Sequence, residues 1–138
     1  MATVINQAIG PDYALYQGDS AEVLKGLPDE SVDFMVYSPP FQALYVYSAT
    51  ERDLGNCSSP EEFFEHLSFI TVELYRLLKP GRLMAVHCAQ ITAQKVLDGW
   101  IGLKDFRGQL IEHYGRHGFY FHREVCIDRL QFGDDGAI

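Results

Sequence analysis

The sequence predicts an α/β domain with a parallel sheet, and three observations support this fold class. Short apolar runs of strand length alternate with helical patterns in the order β-α-β-loop-α-β-α-β. The chain has 138 residues, which is about the size of one small domain. Hydrophobic residues make up 47% of it and aromatic residues 13%, enough to form a core and too many for a disordered segment. Strands that alternate with crossover helices favour a doubly wound parallel sheet.

The amino-terminal region is expected to contain the first strand and a short helix. Residues 1–12 show no sustained pattern and are predicted to form an irregular arm. Residues 13–17 are a partly alternating apolar run, which is typical of a strand. Asp19 or Ser20 is a suitable N-cap for a helix over residues 21–27, since both side chains can accept a hydrogen bond from a free backbone N–H.

A loop and a long helix are expected between the second strand and the third. Residues 32–37 are mostly apolar and have the length of a buried strand. Residues 42–59 have no sustained period and are predicted to form a mobile loop. Ser59 is a typical N-cap, and Pro60 suits the first position of the helix that follows. Apolar residues then recur at helical spacing until the segment 79–81 closes the helix.

The last third of the chain is expected to add two strands and a second helical region. Residues 82–88 are the third predicted strand, and residues 119–127 are the fourth. Between them, a helical region is predicted from about residue 91 to residue 115, with an interruption near residues 100–106. Residues 128–138 are predicted to form an irregular tail.

Polar side chains are predicted to meet where three of these strands end. Ligands of open α/β sheets bind beyond the carboxyl ends of the strands, which places 18–19, 38–41 and 87–88 on one rim. In Ser38-Pro39-Pro40-Phe41, the two prolines fix the backbone and remove two N–H donors. The Ser38 hydroxyl and nearby carbonyls then form a rigid set of acceptors beside an aromatic ring. This arrangement suits a planar group that carries an amine, such as an extruded nucleobase, although a plain strand-to-loop turn can have the same residues.

The run from residue 13 to residue 41 resembles the start of the DNA amino-methyltransferases, which methylate N6 of adenine or N4 of cytosine. Gly-Asp after a strand, a short helix, an apolar strand and Ser-Pro-Pro-Phe follow one another as in that family. The similarity continues more loosely to Ile127, and the loop after Phe41 together with His87-Cys88 looks most like phage-borne members. The resemblance implies a Rossmann-like, S-adenosylmethionine-dependent methyltransferase fold in which the catalytic motif comes first.

The resemblance also implies roles for individual residues. Ser38 and the carbonyl of Pro39 would accept hydrogen bonds from the target amine, with Pro40 completing the rigid motif. Phe41 would stack on the flipped base. Asp19 would lie near the adenine ring of S-adenosylmethionine. From their place on the predicted rim, Ser38 and His87 could line the cofactor or base pocket, although a rim histidine with a purely structural role is the simpler interpretation of His87.

Two parts of the family pattern are missing from this sequence. No Phe-x-Gly-x-Gly loop follows the motif, since residues 132–136 have the wrong spacing. No basic recognition segment is present, and 11 basic against 19 acidic residues leave a net charge of −8. The sequence is therefore expected to be the amino-terminal catalytic part of an incomplete domain, lacking a carboxyl-terminal part. Alone it should bind DNA poorly and have little or no activity, and its open sheet edge carries a risk of homodimerisation or aggregation.

Other functions remain open at this point. The chain could be a non-catalytic remnant that serves as an interaction or nucleic-acid-binding module, or a methyltransferase of RNA or a protein amide. Adenine and cytosine are equally compatible with serine in the motif. No metal site is expected, because His117 and His122 lack a paired-cysteine half. Three cysteines without a close pair, and no apolar segment long enough for a membrane, favour a cytoplasmic protein.

Overall fold

An antiparallel hairpin begins the part of the chain that the computed structural model describes, namely residues 4–41, 46, 49–50 and 53–127. Strand β1 (Val4–Ile9) pairs with β2 (Ala14–Gly18), and the Gly10 N–H donates to the Tyr13 carbonyl at 2.9 Å across the turn. The prediction of an irregular arm over residues 1–12 is therefore wrong for Val4–Ile9. Pairing with β2 satisfies the backbone of this segment, which local pattern did not reveal.

A short helical segment follows the hairpin, as predicted. The Asp19 side chain accepts a hydrogen bond from the Ala21 N–H at 2.9 Å and so caps α1 (Ser20–Val23). Leu24–Gly26 then continue as one 3-10 turn. The predicted helix over residues 21–27 is therefore confirmed as one α-helical turn and one tighter turn.

The centre of the structure is a parallel βαβ unit made of β3 (Val32–Tyr37), α2 (Pro60–Leu77) and β4 (Leu78–Val86). All three elements were predicted, but β4 begins at Leu78, directly before the segment 79–81 that was expected to close the helix. The register shifts from Val32 opposite Leu78 to Phe34 opposite Leu83, so β4 carries extra residues. Gly81, with φ of 75°, lies in this irregular stretch and takes a conformation that glycine favours.

Helix α2 covers one face of the parallel strand pair and supplies much of the core. The Ser59 hydroxyl accepts a hydrogen bond from the Glu62 N–H at 3.2 Å, and Pro60 occupies the first turn, as expected. The buried apolar side chains of α2 are Phe63, Leu67, Leu74 and Leu77. Neither α2 nor any other helix in the described ranges is long and apolar enough to cross a membrane.

Residues 91–104 form a small hairpin instead of the predicted helix. Strands β5 (Ile91–Ala93) and β6 (Gly102–Lys104) pair antiparallel, with the single-turn helix α3 (Lys95–Asp98) between them. Gly99 ends α3 in the left-handed region, with φ of 79°, and the chain reverses there. The later part of the predicted helical region is confirmed as α4 (Phe106–Arg116), which Asp105 caps.

The strands of the described residues form three separate pairs, whereas the sequence predicted one sheet of four strands. Strand β2 pairs with β1, and the described residues show no pairing between β2 and β3. The predicted fourth strand, 119–127, is wrong: this stretch has no strand structure, and residues 120–127 are exposed. A strand forms only where a neighbour satisfies its backbone, and local sequence does not show whether that neighbour exists. The predicted tail, 128–138, lies outside the described residues.

The end of the predicted loop, 42–59, is packed into the core. Asp53 accepts a hydrogen bond from the Gly55 N–H at 2.9 Å and begins a 3-10 turn, Leu54–Asn56. Leu54 and Cys57 are buried in the cluster that also contains residues of α2 and α4. Positions 42–45, 47–48 and 51–52 of the predicted mobile loop lie outside the described residues.

Candidate active site

The carboxyl ends of β3 and β4 bring Ser38 and His87 into contact. The parallel register sets Tyr37 opposite Val86, and the His87 N–H donates to the Tyr37 carbonyl at 2.9 Å. Ser38 and His87 are the residues that follow this pair, so their side chains lie next to each other. Ser38 Oγ lies 3.2 Å from His87 Nδ1 and 3.2 Å from the His87 carbonyl oxygen, to which it can donate. Both side chains are exposed.

The two prolines and Phe41 turn the chain back towards the core after Ser38. Pro39 is buried and Pro40 partly buried. The Phe41 ring centroid lies 6.0 Å from that of His87, at an angle of 45°, and 5.9 Å from that of Phe106. Phe106 is fully buried. Phe41 is thus supported from the core side by Phe106 while its neighbour His87 faces solvent.

A pair of tyrosines, the buried Tyr114 and the partly buried Tyr37, fixes the strand end directly behind this group. The hydroxyls of Tyr37 and Tyr114 are hydrogen-bonded, which ties β3 to α4. Burial raises the pKa of Tyr37 to about 12, and burial together with the neighbouring Tyr37 raises the pKa of Tyr114. Both groups therefore remain neutral at physiological pH and act as structural contacts. Sequence reasoning missed this pair, although Tyr114 lies on the apolar face of α4, where its burial could have been predicted.

The segment after His87 is anchored to the start of α4 through Gln90, which sequence reasoning also missed. The Gln90 amide nitrogen donates to Asp105 Oδ1 at 2.8 Å, and its oxygen accepts from the Arg107 N–H at 3.1 Å. The hydrogen bond from Gln90 lowers the pKa of Asp105, and the Gly108 N–H adds to this effect. Burial raises the pKa of the half-buried Cys88, so this thiol remains protonated.

Asp19 is not on the same sheet as the Ser38–His87 contact. The sequence predicted one rim for all three strand ends, but β2 and β3 belong to different pairs of strands. The structure therefore confirms that rim for the ends of β3 and β4 only. Asp19 lies partly buried at the end of β2, and its side chain caps α1.

The comparisons with known proteins place this geometry in a known fold. The chain is 45% identical over 69 residues to the type II methyltransferase M.SfiI of Streptomyces fimbriatus, which is 50% of this chain and 16% of that protein. Its structure is similar to that of a candidate DNA modification methylase from Thermus thermophilus, with a TM-score of 0.56 and 25% identity. The match covers 75% of this chain and 39% of that one. No family model matches the chain.

A second structure of the Thermus thermophilus protein, complexed with S-adenosyl-L-methionine, matches with a TM-score of 0.57 and 23% identity, over 75% of this chain and 40% of that one. The chain thus has part of a Rossmann-like, S-adenosylmethionine-dependent methyltransferase fold, and its predicted resemblance to DNA methyltransferases is confirmed. It spans less than half the length of either relative.

Proposed function

We propose that this chain carries the base-holding part of a DNA amino-methyltransferase, with adenine N6 or cytosine N4 as the methylated atom. The observation that carries the proposal is the group formed by Ser38, the two prolines, Phe41 and His87 at adjacent strand ends. The group combines an exposed hydroxyl, a backbone without N–H donors at two positions, and an aromatic ring supported by the core. These are the features needed to hold a planar aromatic amine outside its base stack.

The chemistry assigned to these residues is positioning and hydrogen bonding. The lone pair of an aromatic amine is delocalised into the ring, so the nitrogen is a weak nucleophile. Acceptors at Ser38 Oγ and the Pro39 carbonyl would bind the two amine hydrogens and favour a pyramidal, more nucleophilic nitrogen. Phe41 would stack on the base and set its distance from the methyl donor. Bound S-adenosylmethionine would supply an electrophilic methyl group on sulfur, so no strong base is required.

The residues proposed to hold S-adenosylmethionine have side chains that are chemically suited to that cofactor. A carboxylate offers about four acceptor sites, so the cap that Asp19 makes on α1 is compatible with a hydrogen bond from an adenosine group. The exposed side chain of His87 is a second polar group beside the motif. DNA is the proposed partner because the relatives are named as a methyltransferase of type II and a candidate DNA modification methylase.

Nucleoside binding tests the proposal without requiring activity. We expect adenosine or cytidine to shift the NMR signals of Phe41 and His87 in the isotope-labelled chain, and the preferred nucleoside identifies the target base. Phe41→Ala should remove the binding, since stacking is worth about 1–3 kcal/mol per base. Phe69→Ala, on an exposed position of α2, is the matched control. If neither nucleoside shifts these signals, or if Phe41→Ala binds as well as the original, the proposal is wrong.

Transfer of labelled methyl groups tests whether this chain is sufficient for catalysis. We expect little or no transfer from labelled S-adenosylmethionine to DNA, and weak binding in a calorimetric titration with the cofactor. The sequence shows neither a Phe-x-Gly-x-Gly loop nor a basic recognition segment, and its net charge is −8. Transfer well above a Ser38→Ala control would contradict this expectation and would show that the chain is a sufficient enzyme.

An interaction module is a second function that one observation favours. The face of β3–β4 opposite α2 exposes Phe34, Val36 and Leu83, to 57%, 68% and 48%. A contiguous apolar face of this kind is uncommon on a monomer, so we propose that a second copy of the chain covers it. Val36→Lys should then lower the sedimentation coefficient, while Val96→Lys, on α3, should not. A chain that is monomeric at every concentration would contradict the homodimer.

A further inference from the structure

We propose that His87 is a positioning residue for the target amine: it takes the hydroxyl proton of Ser38, so that the lone pairs of Ser38 Oγ are left to accept from the amine. The inference rests on the proposed function, in which Ser38 binds an amine hydrogen. It concerns a different step, namely which way the Ser38 hydroxyl is polarised. The observation that carries it is the double contact of Ser38 Oγ with His87, to Nδ1 and to the carbonyl oxygen.

A serine hydroxyl has one proton and two acceptor sites. In the Nε2–H tautomer of His87, both atoms of His87 near Ser38 Oγ are acceptors, at 3.2 Å each. The proton of Ser38 is then directed to His87 whichever of the two atoms receives it. Both lone pairs of Oγ remain on the side away from His87, where they can accept hydrogen bonds.

The alternative orientation would oppose amine binding. If the Ser38 proton pointed to the base, a donor would face the donors of the amine, and the contact would be repulsive. The amine cannot reverse this, because its own lone pair is delocalised into the ring. A neighbour that engages the Ser38 proton therefore decides whether Ser38 selects for an amine or against it.

The position of His87 does not depend on a bound ligand. The backbone N–H of His87 donates to the Tyr37 carbonyl at 2.9 Å, and the centroid of its ring lies 6.0 Å from that of Phe41. Ser38 is held by β3 on one side and by Pro39 on the other. The contact is thus built into the fold, as a positioning role requires.

If the inference holds, substituting His87 changes the preference for nucleosides that carry the amine more than it changes the stacking of the base on Phe41. We would titrate the labelled chain with adenosine and with purine riboside, which lacks the amine, and with cytidine and its 4-deamino analogue. The ratio of the two affinities in a pair measures the contribution of the amine. His87→Ala removes Nδ1 and keeps the carbonyl oxygen, so one acceptor of the Ser38 proton is left where two were present. The ratio should therefore fall by up to about fivefold, which corresponds to at most one typical hydrogen bond.

Two further variants separate positioning from folding. His87→Asn should largely restore the ratio, because its side-chain amide carries an acceptor near the position of Nδ1. His122→Ala is the matched control, since His122 is an exposed histidine in residues 119–127. The dispersion of the amide spectrum shows that each variant is folded, and His87 is itself exposed.

The outcomes distinguish this inference from the proposed function. If the original chain favours the amine and His87→Ala keeps that preference, the inference is overturned and the proposed function stands. The same conclusion follows if His87→Asn loses the preference as completely as His87→Ala. If the original chain binds both members of each pair equally, or binds none of them, the proposed function fails and the inference fails with it.

Discussion

His113 is a buried histidine whose titration should weaken the fold below neutral pH. It lies on α4, is 7% exposed and faces α2. Its Nε2 lies 2.9 Å from Thr71 Oγ1. Because the Thr71 hydroxyl donates to the Leu67 carbonyl at 2.9 Å, His113 Nε2 is the donor in this contact. Burial, and then the nearby His117 and Arg116, lower the pKa of His113 to about 4.

The direction of the effect follows from the lowered pKa. The unfolded chain binds a proton at its ordinary value of 6.5, whereas the folded chain resists protonation until about pH 4. The contribution of His113 to stability is therefore complete above pH 6.5 and is lost as the pH falls from there towards 4. Between pH 7.5 and 5.5, this linkage lowers the free energy of unfolding by about 1.4 kcal/mol.

Urea unfolding at the two pH values measures this loss. His113→Gln removes the titration and keeps an amide donor that can reach Thr71, so its unfolding should depend less on pH by about 1.4 kcal/mol. His122→Gln, an exposed histidine, should keep the original dependence. The net charge stays negative even with all five histidines protonated, which limits aggregation. If His113→Gln and the original chain lose the same stability between these pH values, the reasoning is refuted.

Three further predictions concern the supports of the candidate site. Phe106→Ala should lower the free energy of unfolding by about 3–5 kcal/mol, since Phe106 is fully buried beneath Phe41, whereas Phe69→Ala should change it by less than about 0.5 kcal/mol in the same urea titration. Ser59→Ala should cost about 1 kcal/mol and Ser59→Gly only a few tenths, and equal losses would argue against the cap on α2. Arg76→Lys should lower the urea midpoint, because lysine cannot replace all the contacts of the guanidinium. Arg76 donates to the carbonyls of Leu24 and Leu27 at 2.9 Å each. It also forms ion pairs with Asp29 and Glu73. Arg116→Lys should leave the midpoint unchanged, because its pair with Glu112 is exposed, and equal effects of the two substitutions would contradict the role of Arg76.

Elements with a strong local signal were predicted well. Helix α2 has a cap at Ser59, a proline in its first turn and an apolar face with helical period, and all three features appear in the structure. Strand β3 was recognised as an apolar run between a turn and two prolines. The hairpin of β5 and β6 was mistaken for a helix, because three-residue strands are too short to establish a period.

The candidate site shows the same division between local and distant information. Ser38, Pro39, Pro40 and Phe41 were identified together because they are adjacent, and His87 because it follows a predicted strand. The supports of these residues, Tyr114, Gln90 and Phe106, lie far along the chain or in elements that were misassigned. No local pattern indicates that two tyrosine hydroxyls 77 positions apart will meet.

By itself, the sequence determined the α/β class, the central βαβ unit and the motif at the end of β3, because hydrophobic period, helix caps and proline act on neighbouring residues. Only the tertiary structure decided that β2 pairs with β1, that residues 119–127 form no strand, and that Ser38 contacts His87 through two atoms. These features depend on which backbone groups find a partner in space. Such pairing is a property of the whole fold, since a strand or a hydroxyl is satisfied only by the neighbour that packing supplies.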